Sequence, residues 1–135
     1  MTKKDTVKIL SDINFVSAKE NLIYKVAIFI KDKYNVKFGV KIELQKNIPI
    51  SAGMGGGSSN AASTIVALSK LWNLKLSKDE MHKIAKNFGS DINFFLEGGC
   101  ALGENRGEKI FQLKQIELDN IFLVNPGFGI SSKEA

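Results

Sequence analysis

A glycine-rich stretch between a predicted strand and a predicted helix constrains this chain more than any other feature. Residues Gly53 to Ser59 have the sequence G-M-G-G-G-S-S, and Ala61, Ile65, Leu68 and Trp72 then repeat at helical spacing. Glycine permits a backbone with positive φ and leaves no Cβ in the path of a ligand. A helix N-terminus adds unpaired N–H groups and a positive dipole end. The stretch therefore predicts a polyphosphate cradle, and the alternative is a flexible connection whose glycines only relieve packing.

Two well-known phosphate-binding loops do not fit these residues. The P-loop requires Lys followed by Ser or Thr at the start of the helix, and no lysine follows the glycines here. The dinucleotide-binding fingerprint requires a glycine where Ser58 stands and an acidic residue about 20 positions later. The only acids at that distance, Asp79 and Glu80, belong to a predicted capping box. Neither loop type is therefore expected.

The remaining patterns predict a mixture of helices and strands in one domain. A helix over 20–34 begins either at Ser17-x-x-Glu20 or at Asn21, since both could cap it. Another helix begins near Ser58 and ends at Asn73, and a third runs from the capping box Ser77-Lys-Asp-Glu80 to Gly89. Strands are predicted at 6–10, 36–44, 92–96, 100–103, 109–113 and 120–125.

Composition excludes several classes of protein. The chain has 135 residues, of which 44% are apolar and 24% charged, as in an ordinary globular protein. It contains no apolar run near the roughly 20 residues that span a bilayer, and no secretory apolar core near its start. One cysteine, Cys100, cannot form an internal disulfide, so a reduced cytoplasmic setting is expected.

The net charge of +5 does not indicate nucleic-acid binding. Eighteen of the 19 basic residues are lysine and only Arg106 is arginine, whereas surfaces that bind bases and phosphates favour arginine. The excess is also confined to residues 1–46, with ten lysines against five acids, because residues 47–135 carry nine of each sign. A solvated lysine-rich surface and no nucleic-acid partner are therefore expected.

The sequence P-I-S-A-G-M-G-G-G-S-S-N-A-A-S, from Pro49 to Ser63, resembles the ATP-binding motif of the GHMP kinases. Further segments resemble the family in the same order: E-N-L-I at 20–23, L-S-K-L-W-N-L-K-L-S at 68–77, G-S-D-I-N-F-F-L at 89–96, G-E-N-R-G-E at 103–108 and N-P-G-F-G-I-S at 125–131. The resemblance implies that residues 1–135 are a partial GHMP-kinase amino-terminal domain. Its fold would be α+β, of the ribosomal-protein-like β-α-β type.

Within the family, the similarity is greatest to members that phosphorylate the 2-hydroxyl of 4-diphosphocytidyl-2-C-methyl-D-erythritol in non-mevalonate isoprenoid synthesis. The resemblance thus implies ATP and Mg²⁺ as cofactors and this small molecule as substrate. It also suggests a second copy of the chain or a complementing kinase fragment as a partner. Two alternatives stay open: a non-catalytic remnant that binds nucleotide weakly or only joins a partner chain, and an RNA-binding domain, since related folds occur in ribosomal proteins.

Site residues also follow from the resemblance. Asp91 would accept the proton of the substrate hydroxyl, although the residue pattern alone favours a loop or cap aspartate at this position. We expect this carboxylate partly buried beside the cradle. Residues that would contact the phosphates are Gly53, Gly55, Gly56, Gly57, Ser58 and Ser59, with Ser58 or, as the alternative, Ser59 near Mg²⁺. Asn21, Leu22 and Lys46 would lie toward the adenine, and Pro49 opens the motif; one more exposed lysine is the alternative for Lys46.

Several side chains have simpler predicted roles. Glu104 and Glu108 are expected to flank a turn around Gly107, and His82 to lie on the surface. Small or aromatic residues, Cys100, Phe94 and Phe95, are expected in the core.

The sequence also departs from the family pattern. The family's Pro-x-Lys-Ile-Asn motif, whose lysine pairs with the catalytic aspartate, and its second domain do not occur in these residues. Asn93 replaces the usual proline, which is expected to loosen the turn after Asp91. We therefore expect this chain, by itself, not to phosphorylate the substrate at a normal rate.

Overall fold

The first half of the fold is a parallel β-α-β unit. In the computed structural model, which describes residues 6–12, 17, 19–105, 107 and 109–129, strand β1 (Val7–Ser11) pairs in parallel with β2 (Val40–Leu44). The connecting helix α1 (Leu22–Lys33) begins at Asn21, whose side chain accepts a hydrogen bond from the Ile23 N–H. Ser17 and Glu20 instead bond to each other in the preceding turn. Asn21 is therefore the helix cap, and β2 is shorter than the predicted 36–44.

Helix α2 (Gly56–Leu71) lies at the centre of the core. It packs against α1, and the apolar stripes of the two helices are buried together. The residues of α2 that repeat at helical spacing are indeed buried: Ala61, Ile65, Leu68 and Trp72. Val26 and Ile30 of α1 are buried against them. Helix α3 (Lys78–Ala85) then begins with the predicted capping box, in which Ser77 and Glu80 each bond to the other's backbone N–H.

Residues 92–96, predicted as a strand, are helical. They belong to helix α4 (Asp91–Glu97), which lies against α2 and α3 and buries Ile92 and Asn93 completely. An apolar run this short does not distinguish a strand from a buried helix by its pattern. Asp91 in the first turn and the positive φ of 71° at Gly98 after the last are the local signals of a helix.

An antiparallel hairpin completes the described structure. Strand β3 (Ala101–Glu104) pairs with β4 (Lys109–Gln112), as predicted within a residue or two. Within the described residues, β1–β2 and β3–β4 are two separate two-stranded sheets rather than one. Residues 120–125 form no strand, and the apolar side chains of 113–129 are exposed. No described helix is both long and apolar enough to cross a membrane.

Candidate phosphate-binding site

The glycine stretch forms a loop that ends in the uncapped N-terminus of α2. Gly55 occupies the cap position with a left-handed φ of 62°, and no side chain bonds to the first-turn N–H groups. No acidic residue lies in that first turn, so the positive end of the helix dipole is not neutralised from within the helix. The helix begins at Gly56, two residues earlier than predicted, which places Gly56, Gly57 and Ser58 in its first turn. Such a helix start binds anions well.

Two of the four glycines are required by packing. A Cβ at Gly55 would lie 2.6 Å from Cζ of Phe95, and one at Gly56 would lie 2.9 Å from Nζ of Lys46 and 3.0 Å from Cγ2 of Ile48. In contrast, a Cβ at Gly53 or Gly57 would meet nothing within 4 Å. Gly57 is helical and needs no positive φ, so neither its conformation nor its protein neighbours explain a glycine there. An incoming ligand would explain it.

Lys46 brings a positive charge to the start of α2. Its backbone N–H donates to both carboxylate oxygens of Asp12, at 3.1 and 3.2 Å, which anchors the residue after β2. Its ammonium group lies over Gly56. The prediction placed Lys46 toward the adenine of a nucleotide, whereas this position suits a contact with the phosphates. The positive charge of Lys46 and the positive end of the α2 dipole therefore both lie at the start of α2.

Asp91 borders the same cleft as the glycine loop. The cleft has a volume of about 450 Å³, and Gly53, Met54 and Gly55 line one side of it while Ser90 and Asp91 line another. Asp91 is exposed rather than partly buried as predicted, because it is the first residue of α4 and points into an open cleft. A hydrogen bond of 3.3 Å from the Ser90 hydroxyl to Asp91 Oδ1 holds the carboxylate.

The two serines after the glycines differ. Ser59 donates from its N–H to the Gly55 carbonyl at 2.9 Å and from its hydroxyl to the Gly56 carbonyl at 3.1 Å, so its side chain is turned back onto the helix. The Ser58 hydroxyl makes no hydrogen bond to a described residue and is half-buried. The described residues contain no group of three or more His, Cys, Asp and Glu side chains suited to a metal. A magnesium ion would therefore depend on one side chain and on ligand oxygens.

Three predicted nucleotide contacts lie apart from this cleft. Asn21 uses its side-chain oxygen to cap α1, and Leu22 packs at the edge of the core. Pro49 is exposed before the loop. None of the three is among the residues that line the cleft, and neither are Lys46 and residues 56–59. The contact of Asn21 and Leu22 with an adenine, and of Pro49 with the nucleotide, stays a prediction.

Sequence reasoning missed the residues that shape the cleft from α4 and the hairpin. Phe95, expected in the core, is half-buried and lies against Gly55. Gly107, at the turn of the hairpin, approaches Ser90 so closely that its Cβ would lie 3.2 Å from that of Ser90. Glu108 and Arg106 lie outside the described residues, and Cys100 is half-buried. No local pattern marks such contacts, because the partners are distant in sequence.

Comparisons with known proteins show the family of the chain. Residues 21–99, more than half of the chain, match the N-terminal domain of the GHMP kinases. A 4-diphosphocytidyl-2-C-methyl-D-erythritol kinase of Caldanaerobacter subterraneus subsp. tengcongensis is 53% identical over 116 residues, which are 86% of this chain and 40% of that protein. The kinase of the same name from Clostridioides difficile is 41% identical over 133 residues, 97% of this chain and 45% of that protein.

Solved structures give the same relationship. A 4-(cytidine 5'-diphospho)-2C-methyl-D-erythritol kinase superposes with a TM-score of 0.67 at 32% identity, covering 80% of this chain and 38% of that one. Homoserine kinase from Cytophaga hutchinsonii superposes with a TM-score of 0.63 at 19% identity, covering 79% and 39%, a likeness in fold alone. The chain thus spans less than half the length of the relatives it matches.

Proposed function

Because the chain belongs to the GHMP kinase family, we propose that its glycine cradle binds the phosphates of ATP for transfer of the γ-phosphoryl group to a small-molecule hydroxyl. One observation carries this proposal. The loop that suits the phosphates and the carboxylate that suits the hydroxyl border a single cleft of about 450 Å³. That volume lies within the range of about 300–1,000 Å³ that small-molecule sites occupy.

Each part of the site has a physical role in phosphoryl transfer, which depends mostly on positioning and charge neutralisation. The N–H groups of Gly56, Gly57 and Ser58 would bind the phosphate oxygens, and the Lys46 ammonium would offset their charge. Asp91 would accept the proton of the attacking hydroxyl as the oxygen bonds to phosphorus and ADP leaves. Its exposure in the cleft makes it accessible to a substrate.

Magnesium fits the residues present. Mg²⁺ keeps several waters and binds through one or two side chains together with substrate phosphates, and Ser58 supplies a hydroxyl with no described protein partner at the start of α2. When bound, the ion would supply charge neutralisation on the phosphates. We assign Ser58, rather than Ser59, to this role.

The names of the relatives support a specific acceptor. We propose the 2-hydroxyl of 4-diphosphocytidyl-2-C-methyl-D-erythritol, a step in non-mevalonate isoprenoid precursor synthesis. Residues 1–135 contain no Pro-x-Lys-Ile-Asn motif to pair with Asp91. We therefore propose that these residues bind nucleotide and do not turn over alone. The cytoplasm stays the expected compartment.

Calorimetric titration of the 135-residue chain with Mg·ATP and Mg·ADP tests the nucleotide site directly. We expect a single saturable site and weaker binding of AMP, which lacks the β- and γ-phosphates that the cradle would bind. Binding that is absent, or equal for AMP and ATP, would argue that the loop only connects β2 to α2.

A partner-joining role is the second candidate, and one observation favours it. Residues 113–129 expose large apolar side chains, among them Phe122 at 88% and Val124 at 78%. Contiguous exposed apolar surface of this kind usually marks an interaction site. This role is compatible with nucleotide binding and applies even if catalysis does not.

A further inference from the structure

The short helix α4 brings two residues from the second half of the fold to the proposed phosphate site. Asp91 is its first residue, and Phe95, one turn later, packs its ring against Gly55. The helix has only seven residues, and Ser90 makes no side-chain cap bond to it. Such a helix is not stable by itself in water, so its orientation depends on what holds it to the rest of the fold.

His82 of α3 holds two residues of α4 at once. Its Nδ1 lies 2.9 Å from Oδ1 of Asn93, and its Nε2 lies 2.8 Å from Oε1 of Glu97. The two partners are four residues apart and thus share one face of α4. A further hydrogen bond, from Lys78 Nζ to Glu97 Oε2 at 3.1 Å, connects the start of α3 to the end of α4. His82 was predicted to lie on the surface, but its side chain is only 22% exposed.

Asn93 makes this bridge unusual. It is completely buried, and its Nδ2 has no hydrogen-bond partner among the described residues, although buried polar groups are almost always satisfied. The hydrogen bond between its Oδ1, the acceptor, and Nδ1 of His82 is the one side-chain hydrogen bond that this amide makes to a described residue. An apolar residue would fill the position at lower cost. The bond to His82 therefore points to a requirement for holding α4 in place rather than for packing alone.

We propose that His82 is a positioning residue, which bridges Asn93 and Glu97 and thereby sets Phe95 and Asp91 against the glycine loop. Because His82 contacts two successive turns of α4, it restrains both the distance between α3 and α4 and the rotation of α4 about its axis. Rotation would move Phe95 off Gly55 and Asp91 away from the cleft. Asn93, which departs from the proline of the resembling kinases, is thus a partner of His82, and its effect on the turn stays a prediction. The consequence for nucleotide rests on the proposed function.

The test compares His82→Leu with the matched control Lys83→Leu in the 135-residue chain. Lys83 is exposed on the same helix and lies outside the bridge. We expect the backbone amide signals of Gly55 and Asp91 to shift in the NMR spectrum of the folded His82 variant and not in the control. Affinity for Mg·ATP should fall by about 2- to 30-fold, the range for residues that act through a network.

A second substitution separates positioning from general destabilisation. Asn93→Pro places the proline in the first turn of α4, where helices accept it. It removes the amide that His82 holds, together with the 3.3 Å hydrogen bond from the Asn93 N–H to the Ser90 carbonyl. If His82 acts through Asn93, the effect of His82→Leu on the Gly55 signal and on affinity should be smaller in the Asn93→Pro background than alone. Equal and additive effects would overturn the proposal.

Failure of the two proposals would look different. If the parent chain does not bind Mg·ATP, the proposed function is wrong, while the amide signals of Gly55 and Asp91 still report on the bridge. If the parent binds but His82→Leu leaves those signals and the affinity at the parent values, His82 is not a positioning residue. If the His82 variant does not fold, His82→Gln, which keeps one hydrogen-bonding group, provides the same comparison.

Discussion

The four glycines of the loop have different physical reasons to be glycine. At Gly55 a positive φ and the ring of Phe95 both exclude a side chain, and at Gly56 Lys46 and Ile48 do. Gly56→Val would therefore test packing as well as binding. Gly57 is helical, exposed and without a close protein neighbour, so a change there reports on the ligand.

Gly57→Ala should raise stability and lower nucleotide affinity. Alanine stabilises a helix by about 0.5–1 kcal/mol over glycine. A methyl group in the path of the phosphates should cost about 1–3 kcal/mol of binding, which is roughly 5- to 150-fold in affinity. Thermal unfolding and calorimetric titration measure the two effects. Ser63→Ala, exposed on the same helix, is the control. An unchanged affinity in the Gly57 variant would show that the phosphates do not approach this residue.

Asp91→Asn should leave Mg·ATP affinity nearly unchanged. The carboxylate borders the cleft from α4 and would act on the acceptor hydroxyl, so losing its charge can only reduce repulsion with a polyphosphate. Calorimetry of the variant beside the parent measures this. A severalfold loss of affinity would place Asp91 among the nucleotide contacts instead.

At the scale of elements, the junction of α3 and α4 is held by charged side chains. The pKa of Glu97 lies below its usual range, mainly because His82 hydrogen-bonds to its carboxylate and secondly because Lys78 does. Folded Glu97 therefore binds fewer protons than the unfolded chain near pH 4, and stability rises with pH in that region. The Glu97 carboxylate stabilises the fold fully when the pH lies above the pKa of an ordinary glutamate, about 4.3. This stabilisation is lost as the pH falls through the lower pKa of folded Glu97.

Glu97→Gln should be less stable than the parent at pH 7, and the difference should shrink as the pH falls from about 5 to 3. The substitution removes the charge of Glu97 at every pH, whereas in the parent only protonation at low pH removes it. The two proteins should therefore become alike in stability as the pH falls. Urea unfolding across this range measures the difference. Glu117→Gln, in the exposed segment after β4, should show no such convergence. A difference that is constant with pH would mean that the charge of Glu97 does not stabilise the junction.

At the scale of the whole molecule, the chain spans less than half the length of its relatives and exposes apolar side chains over residues 113–129. Three examples, Ile121, Phe122 and Leu123, are each at least 70% exposed. The proposed site also contains a carboxylate without the lysine that the resemblance pairs with it.

We expect the chain alone to release no substrate-dependent ADP at ordinary kinase rates, about 1–100 per second. Co-expression with a Pro-x-Lys-Ile-Asn hairpin and the second half of a related kinase should restore turnover. In the restored protein, Asp91→Asn should lower kcat by about 10²- to 10⁴-fold with little change in the KM for ATP. A coupled assay of ADP release measures the turnover of the chain alone, of the restored protein and of its Asp91 variant. Equal kcat with asparagine at 91 would make the residue structural.

Local physics is enough to predict much of this protein. Three features are local patterns of the sequence, and the structure confirms each: the glycine loop before a helix, the buried stripe of Ile65 and Leu68, and the capping box at Ser77. Tertiary contacts decided the rest. The run at 92–96 became a helix because Ile92 and Asn93 are buried there by α4 packing against α2 and α3, which no short apolar pattern specifies. The ring of Phe95 against Gly55 joins residues 40 positions apart. Contacts over such a distance depend on how the packed helices orient their side chains, and only the folded chain settles that orientation.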